Sequence, residues 1–462
     1  MNTPIYDKLR NYRASDRVPF AMPGHKNGRG LEPDLIDLDV TELNATLNLR
    51  NADDEAVNKS QKLLSQMYKS DESFILTCGA TAGIQAMLAS VLKPGETVLV
   101  SSDCHMSVIH TCAICGYMIR FIPASIDPES LIPFDDEDIE DVLNHFRDVS
   151  AVLITSPNYY GMCRNIRHFS DVCHKYDIPL LVDEAHGAHF IASNRLPQTA
   201  LQCGADASVN SAHKTLNALT GAAYLHIKGS LIDRRRLRAA LEMFQTSSPS
   251  YPIAASADIA RVYLEDSTSW NSLIDYCESF KKRVSESLML RVIENEDPTR
   301  IVINFSIFET TGFEIYDILS DKFGIDAEMA DSVNVVFITS PLNKKTDFER
   351  LYAALASIST DLAVRKEPHK VLPPSARERY IDPQSAFYSD VKYLGISDCI
   401  GHVCAQTITA YPPGIPVLCA GELITTSHVV YFRHLKNIGA VFTGFDGTAI
   451  PVTTSRKFYR KD

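Results

Sequence analysis

Between Leu63 and Ile227, short apolar runs alternate with longer stretches of helical character. The runs are Thr97–Val100, Tyr117–Ile122, Ala151–Ile154, Ile178–Val182 and Ala222–Ile227. Strands separated by helices pair through crossovers, so the alternation predicts βαβ units and an α/β fold with a mainly parallel sheet. Asp136 to Phe146 and Phe169 to Tyr176 carry the mixed charged and apolar spacing of amphipathic helices lying on that sheet. Ligands of open α/β sheets collect beyond the carboxyl ends of the strands. Asp183 closes one apolar run and Ser156-Pro157-Asn158 follows another, so both fall where a site is expected.

The 462 residues exceed one ordinary core, and the usual domain size predicts about two to four units. Ala255–Leu264 and Ser272–Leu290 read as helices leading out of the large unit. Beyond them, strands at Arg300–Phe308 and Val333–Ile338 flank a helix at Glu314–Lys322, which predicts a smaller α/β unit. Arg365–Pro374 is rich in proline and charge and reads as a linker, and Tyr411–Pro416 reads as a rigid loop. The division expected is an N-terminal segment (1–50), a large unit (51–290), a small α/β unit (291–364) and a C-terminal α+β unit (375–462).

No apolar run approaches the roughly 18 residues of a membrane span, and Met1–Arg17 lacks the apolar core of a secretory signal. A cytoplasmic protein with no membrane association is expected. The net charge of −12 speaks against a nucleic-acid partner, because phosphate binding needs a concentrated basic face. Eleven cysteines without a regular framework point to buried thiols. Cys112-Ala113-Ile114-Cys115 has no second ligand pair at zinc spacing, so no metal is expected.

The chemistry lies in four short segments. Ser211-Ala212-His213-Lys214-Thr215 follows Asp183-Glu184-Ala185-His186 by about thirty residues, and the two together read as a pyridoxal phosphate site. That cofactor needs a lysine amine for its aldehyde carbon, a carboxylate for its pyridine nitrogen, and neutral donors for its phosphate. Thr77-Cys78-Gly79-Ala80-Thr81-Ala82-Gly83 is a small-residue turn opening a helix, where backbone N–H groups and the Thr81 hydroxyl can approach a phosphate. His105 follows a strand and can stack on a cofactor ring. Taken singly, Asp183 also fits a helix cap, Lys214 a solvated loop charge, and His105 a hydrogen-bonded helix start; in combination they fit the cofactor.

With these segments the chain resembles the ornithine/lysine/arginine decarboxylase family of fold-type-I (aspartate aminotransferase-like) pyridoxal phosphate enzymes, in its shorter form without an N-terminal wing domain. Further motifs carry the resemblance: Met22-Pro23-Gly24-His25-Lys26, Asp39-Val40-Thr41-Glu42, Thr155 to Gly161, Gly187-Ala188-His189, Thr246 to Tyr251, and Tyr411 to Pro416 with Gly421-Glu422. The resemblance implies that Lys214 holds the cofactor and Asp183 pairs with its ring nitrogen. It places Ala185 under the ring, His186 near the phenolic oxygen, and His105 on the exposed face. Ala80, Thr81, Ser211 and His213 surround the phosphate, and Thr246–Tyr251 lies near the interface of a homodimer. The implied activity is decarboxylation of a basic amino acid, with Lys214 or a nearby histidine such as His213 returning a proton, as in polyamine biosynthesis. Transamination, with Arg300 holding the substrate carboxylate, and a non-catalytic cofactor-binding role are the alternatives. Three departures touch the substrate end: Asn44–Arg50 replaces an acidic stretch, Met106 replaces a lysine, and Gly401-His402 replaces Gly-Arg.

Overall fold

The computed structural model describes residues 18–20, 26, 55–135, 137–366, 371–374, 380–411 and 416–454. Met22–His25, Asp39–Glu42, Asn44–Arg50, Pro412–Ile415 and part of the expected linker lie outside the described residues. The central sheet has seven strands: β1 (Glu72–Leu76), β2 (Thr97–Val100), β3 (Met118–Phe121), β4 (Val149–Thr155), β5 (Leu180–Asp183), β6 (Ala207–Asn210) and β7 (Ala223–Ile227). Their order is β1-β7-β6-β5-β4-β2-β3. β3, β2, β4, β5 and β6 pair in parallel, whereas β7 runs antiparallel to both β6 and β1. The mainly parallel expectation therefore holds through the middle of the sheet. It ends at β7, which returns beside β6 after a connection holding only the short helix Ala212–Thr215.

The apolar runs are continuous because the sheet is covered on both faces. Val98, Val100, Leu153 and Leu181 pack on one side with Ile84, Met87 and Val108. Leu99, Val152, Ile154 and Val182 pack on the other with Val142, Phe169 and Val172. Truncating one such residue, as in Leu153→Ala, would cost about 2–5 kcal/mol. The covering helices include α1 (Glu55–Tyr68), α2 (Gly79–Val91), α3 (Met106–Cys115), α4 (Ile139–His145) and α5 (Ile166–Lys175). The amphipathic spacing of α5 buries Ile166, Phe169, Val172 and Cys173, and the Asn165 side chain caps it by accepting from His168 N. At Gly83 of α2, an added Cβ would lie 2.5 Å from Val209 Cγ2, so α2 rests directly on β6. Cys112 lies in the core beneath α3 while Cys115 is half-buried, and seven of the eleven cysteines are buried.

After helices α6 (Ala212–Thr215), α7 (Arg234–Phe244), α8 (Tyr251–Tyr263) and α9 (Ser267–Ser287) comes an antiparallel sheet of β8 (Arg291–Val292), β9 (Arg300–Asn304), β10 (Met329–Ala330) and β11 (Asn334–Ile338), ordered β8-β9-β11-β10. β9 stops at Asn304 rather than running to Phe308, because Asn304 Oδ1 accepts from Ser306 N at 3.1 Å and bends the chain. Helices α10 (Gly312–Phe323) and α11 (Lys345–Asp361) complete this unit. Its core continues into the large one: Tyr68, Tyr224, Trp270, Ile303, Phe337 and Phe348 form one apolar cluster. The last section holds a separate core of Ile408, Leu418, Phe432, Ile450 and Val452. It comprises α12 (Pro383–Phe387), β12 (Val391–Gly395), β13 (Ile408–Tyr411), β14 (Pro416–Leu418), α13 (Thr426–Asn437), β15 (Val441–Thr443) and β16 (Ala449–Thr453). Gln384 of α12 lies 3.0 Å from where a Cβ of Gly116 would stand, and Gly116 ends α3 at φ +72°. Among the described residues, no helix is long and apolar enough to cross a membrane.

Candidate active site

β4, β5 and β6 end side by side at Thr155, Asp183 and Asn210. Their following loops, with the start of α2 and the loop before α3, enclose one cavity. All nine sequence-derived site residues line it: Ala80 and Thr81 from α2, His105 before α3, Asp183, Ala185 and His186 after β5, and Ser211, His213 and Lys214 at α6. These side chains come from four segments far apart in sequence, and the parallel strand ends alone bring them together.

Asp183 is 3% exposed, and Ala185 N donates to its Oδ1 at 3.1 Å. That bond closes a turn, and because turn residues rather than a helix follow, Asp183 caps no helix. Burial raises its pKa, and the Lys214 cation and the Ala185 N–H oppose that rise. Lys214 Nζ lies 3.1 Å from His186 Nε2 and 5.4 Å from the centre of the Tyr159 ring. Burial lowers its pKa, Asp183 and Glu328 counteract, and Arg300 adds to the lowering. His186 is pushed well below its usual range, first by burial and then by the charges of Lys214 and Arg300. His105 is pushed down to about 4, chiefly by burial and secondarily by Lys214. Its Nδ1 accepts from Ser107 N at 3.2 Å and so caps α3, which fixes the ring at the mouth of that helix. His213 Nδ1 lies 3.1 Å from the Ala222 carbonyl, which can accept only, so that nitrogen carries the proton. The wall thus sets an amine and the imidazoles of His105, His186 and His213 against the carboxyl groups of Asp183 and Asp103.

At the opposite end, the turn into α2 begins with Gly79 at φ +74°, a conformation that favours glycine. The first N–H groups of α2 are without intrahelical partners, which suits an anion. The segment Thr246–Tyr251 lies against this turn: Thr246 N donates to Cys78 Sγ at 3.4 Å, and Thr77 N donates to Gln245 Oε1 at 3.4 Å.

Sequence reasoning missed several groups. Asp103, Thr155 and Tyr159 also line the cavity, and Asp103 and Tyr159 were visible only as neighbours of His105 and Asn158. Arg164 binds Asp103 at 3.0 Å and Asp135 at 2.7 Å beneath the strand ends. Arg300 does not line the cavity; it stands behind His186, 3.4 Å from its Nδ1. The sequence offered Arg300 only for a substrate carboxylate; it heads a strand whose five residues are all buried. Of the departures, Met106 opens α3 directly after His105, and His402 Nε2 lies 3.4 Å from Lys392 Nζ in the C-terminal section.

Comparison with known proteins agrees with this geometry. Residues 3–305 match the family model described as Orn/Lys/Arg decarboxylase, major domain, and residues 362–454 match its C-terminal domain. The chain is 34% identical over 461 residues to the uncharacterized protein YaaO of Bacillus subtilis, covering 93% of each chain. It is 28% identical over 463 residues to the arginine decarboxylase of the same organism, covering 95% of this chain and 94% of that one. Among solved structures, the lysine decarboxylase LdcF of Francisella novicida superposes with a TM-score of 0.77 at 20% identity, covering 97% of this chain and 81% of that one. At that identity the likeness speaks for the fold.

Proposed function

The chain belongs to the Orn/Lys/Arg decarboxylase family of pyridoxal phosphate-dependent amino acid decarboxylases, with a fold-type-I α/β large unit, and from that premise we propose that it decarboxylates arginine to its amine and CO2. The observation that carries the reading is the convergence of Lys214, Asp183, His186 and His105 on one cavity at the strand ends. The choice of arginine is supported by the relatives of that name, which match this chain along nearly its whole length.

The donor set suits the cofactor. Lys214 offers an amine whose proton is loosened by burial, and Asp183 offers a carboxylate to a ring nitrogen. Ala185 and His105 would flank the ring, His186 would approach its phenolic oxygen, and Ala80, Thr81, Ser211 and His213 would hold the phosphate beside the start of α2. When bound, pyridoxal phosphate supplies the sink for the electron pair left as CO2 departs. Asp183, anchored by Ala185 N, would set its carboxylate opposite that sink. The imidazoles of His105 and His186, whose protonation burial disfavours, would flank it without adding a competing cation. Lys214 or a cavity histidine such as His213 returns the proton that replaces the carboxyl group. Arg300, lying behind His186 rather than on the wall, gives no support to a transaminase-type carboxylate clamp. The smallest active unit proposed is a cytoplasmic homodimer in which Thr246–Tyr251, beside the α2 turn, completes the partner's site.

The test is product analysis by mass spectrometry after the protein, supplied with pyridoxal phosphate, is given arginine, lysine and ornithine separately, with Lys214→Ala as control. The expected result is agmatine from arginine. An amine from lysine or ornithine alone would replace the substrate, and no amine from any of the three, in protein that has bound the cofactor at Lys214, would sink the activity.

A further inference from the structure

Arg300 heads β9 and is 1% exposed. Its Nη1 and Nη2 both reach His186 Nδ1 at 3.4 Å, and Nη1 also donates to the Tyr159 carbonyl at 3.3 Å. A guanidinium has donors and no acceptor, so His186 Nδ1 must be the lone-pair nitrogen, and the neutral ring carries its proton on Nε2. That Nε2 is the atom 3.1 Å from Lys214 Nζ. An N–H facing an ammonium would set donor against donor. The contact is a hydrogen bond only where Lys214 offers a lone pair, as a neutral amine.

The arginine is itself held. Its Nη2 lies 4.0 Å from Asp297 Oδ2, while Asp297 Oδ1 accepts from Thr299 N at 2.9 Å and Thr299 Oγ1 at 2.6 Å. The Tyr159 ring lies 4.6 Å from the His186 ring, so the imidazole is gripped from its edge and from its face.

We infer that Arg300 is a positioning residue: it locks His186 as the Nε2–H tautomer and thereby presents Lys214 as a neutral amine to the aldehyde of pyridoxal phosphate. This rests on the reading of Lys214 as the cofactor's lysine. In the capture step the Lys214 lone pair forms the new bond to the aldehyde carbon, the C=O bond breaks, and its oxygen leaves as water with the two protons the amine gives up. An ammonium has no pair to give. The charged and titratable groups around Lys214 divide: Asp183 and Glu328 favour its cation, Arg300 opposes it, and His105, His186 and His213 are the imidazoles nearby.

The experiment follows cofactor capture rather than turnover. Full-length protein stripped of cofactor is mixed with pyridoxal phosphate, and the absorbance of the lysine-bound cofactor is recorded over time at a series of pH values, with Lys214→Ala as blank. Arg300→Met should capture about tenfold more slowly at neutral pH, with the midpoint of its pH profile moved up by about one unit. Arg300→Lys and Arg300→Gln, each of which can still donate to Nδ1, should stay within about threefold of the parent protein. A parent-like profile for Arg300→Met would overturn the inference. So would an Arg300→Gln profile as displaced as that of Arg300→Met, which would assign the effect to charge alone. If Arg300→Met does not fold, the comparison of the Gln and Lys variants decides on the same criterion. Parent protein that does not capture the cofactor at Lys214 overturns the functional reading itself, whereas capture indifferent to residue 300 overturns only the lock.

Discussion

Two largely enclosed cations stand near the same strand ends, and they are opposites. Arg164 is matched on every side: Asp103 at 3.0 Å, Asp135 at 2.7 Å, and the Thr155 carbonyl accepting from Nη1. Burial works against its charge, yet the two carboxylates outweigh burial and push its pKa up. Lys214 has a histidine at hydrogen-bond distance and an aromatic ring nearby, and burial pushes its pKa down. Burial is shared by the two sites and so does not separate them. Pairing does: a cation given carboxylates to touch becomes a girder, and one given only an imidazole to touch gives up its proton more readily.

The sharpest way to break this contrast is to delete each cation. Lys214→Ala should lower turnover by at least about ten-thousandfold and abolish the absorbance of bound cofactor while leaving thermal unfolding nearly unchanged. A large stability loss would make Lys214 a structural residue like Arg164. Arg164→Met should do the reverse. It leaves buried Asp103 and half-buried Asp135 without their partner, so urea unfolding should show a loss of about 3 kcal/mol; a loss under about 1 kcal/mol would show that the paired site is no girder.

Two carboxyl groups sharpen the comparison from the acidic side. Asp183→Asn keeps the side-chain shape and removes the charge facing Lys214, so turnover should fall by about a hundredfold, with weaker cofactor retention on gel filtration. Glu184, the next residue, points the other way, accepting from Ala200 N at 2.7 Å and Asn210 Nδ2 at 3.1 Å. Burial raises its pKa to about 8 from the ordinary 4.5. A raised acid contributes stability that is complete below about pH 4.5 and is lost as pH climbs through about 8. Glu184→Gln should therefore unfold about 2 °C higher than the parent at pH 8.5 and show no such advantage at pH 4.5. An advantage independent of pH would mean that Glu184 is ionised throughout.

Local pattern made much of this legible. The apolar runs that become β2, β4, β5 and β7 were readable because a sheet covered on both faces needs every residue apolar. The convergence on one cavity was readable because the residues sit in short motifs at strand ends, where ligands of open α/β sheets collect. The reversal of β7 was not readable, since an apolar strand looks the same in either direction. Nor was the early end of β9, which depends on one asparagine side chain bending the chain. Arg164 escaped, and Arg300 was named only for a substrate carboxylate, because their partners lie far along the sequence: Asp103 is 61 residues from Arg164, and His186 is 114 residues from Arg300.

By itself, then, the sequence determined the α/β class and that Lys214 and Asp183 stand at strand ends, because periodicity and motif are local and each strand end carries its chemistry with it. The tertiary structure decided which atoms face the two nitrogens of His186, which enclosed cation is paired with carboxylates, and that Arg300 stands behind a histidine rather than on the cavity wall. Those outcomes depend on distances of 3 to 4 Å between segments far apart in the chain, and only the packing of the whole sheet against its neighbours sets them.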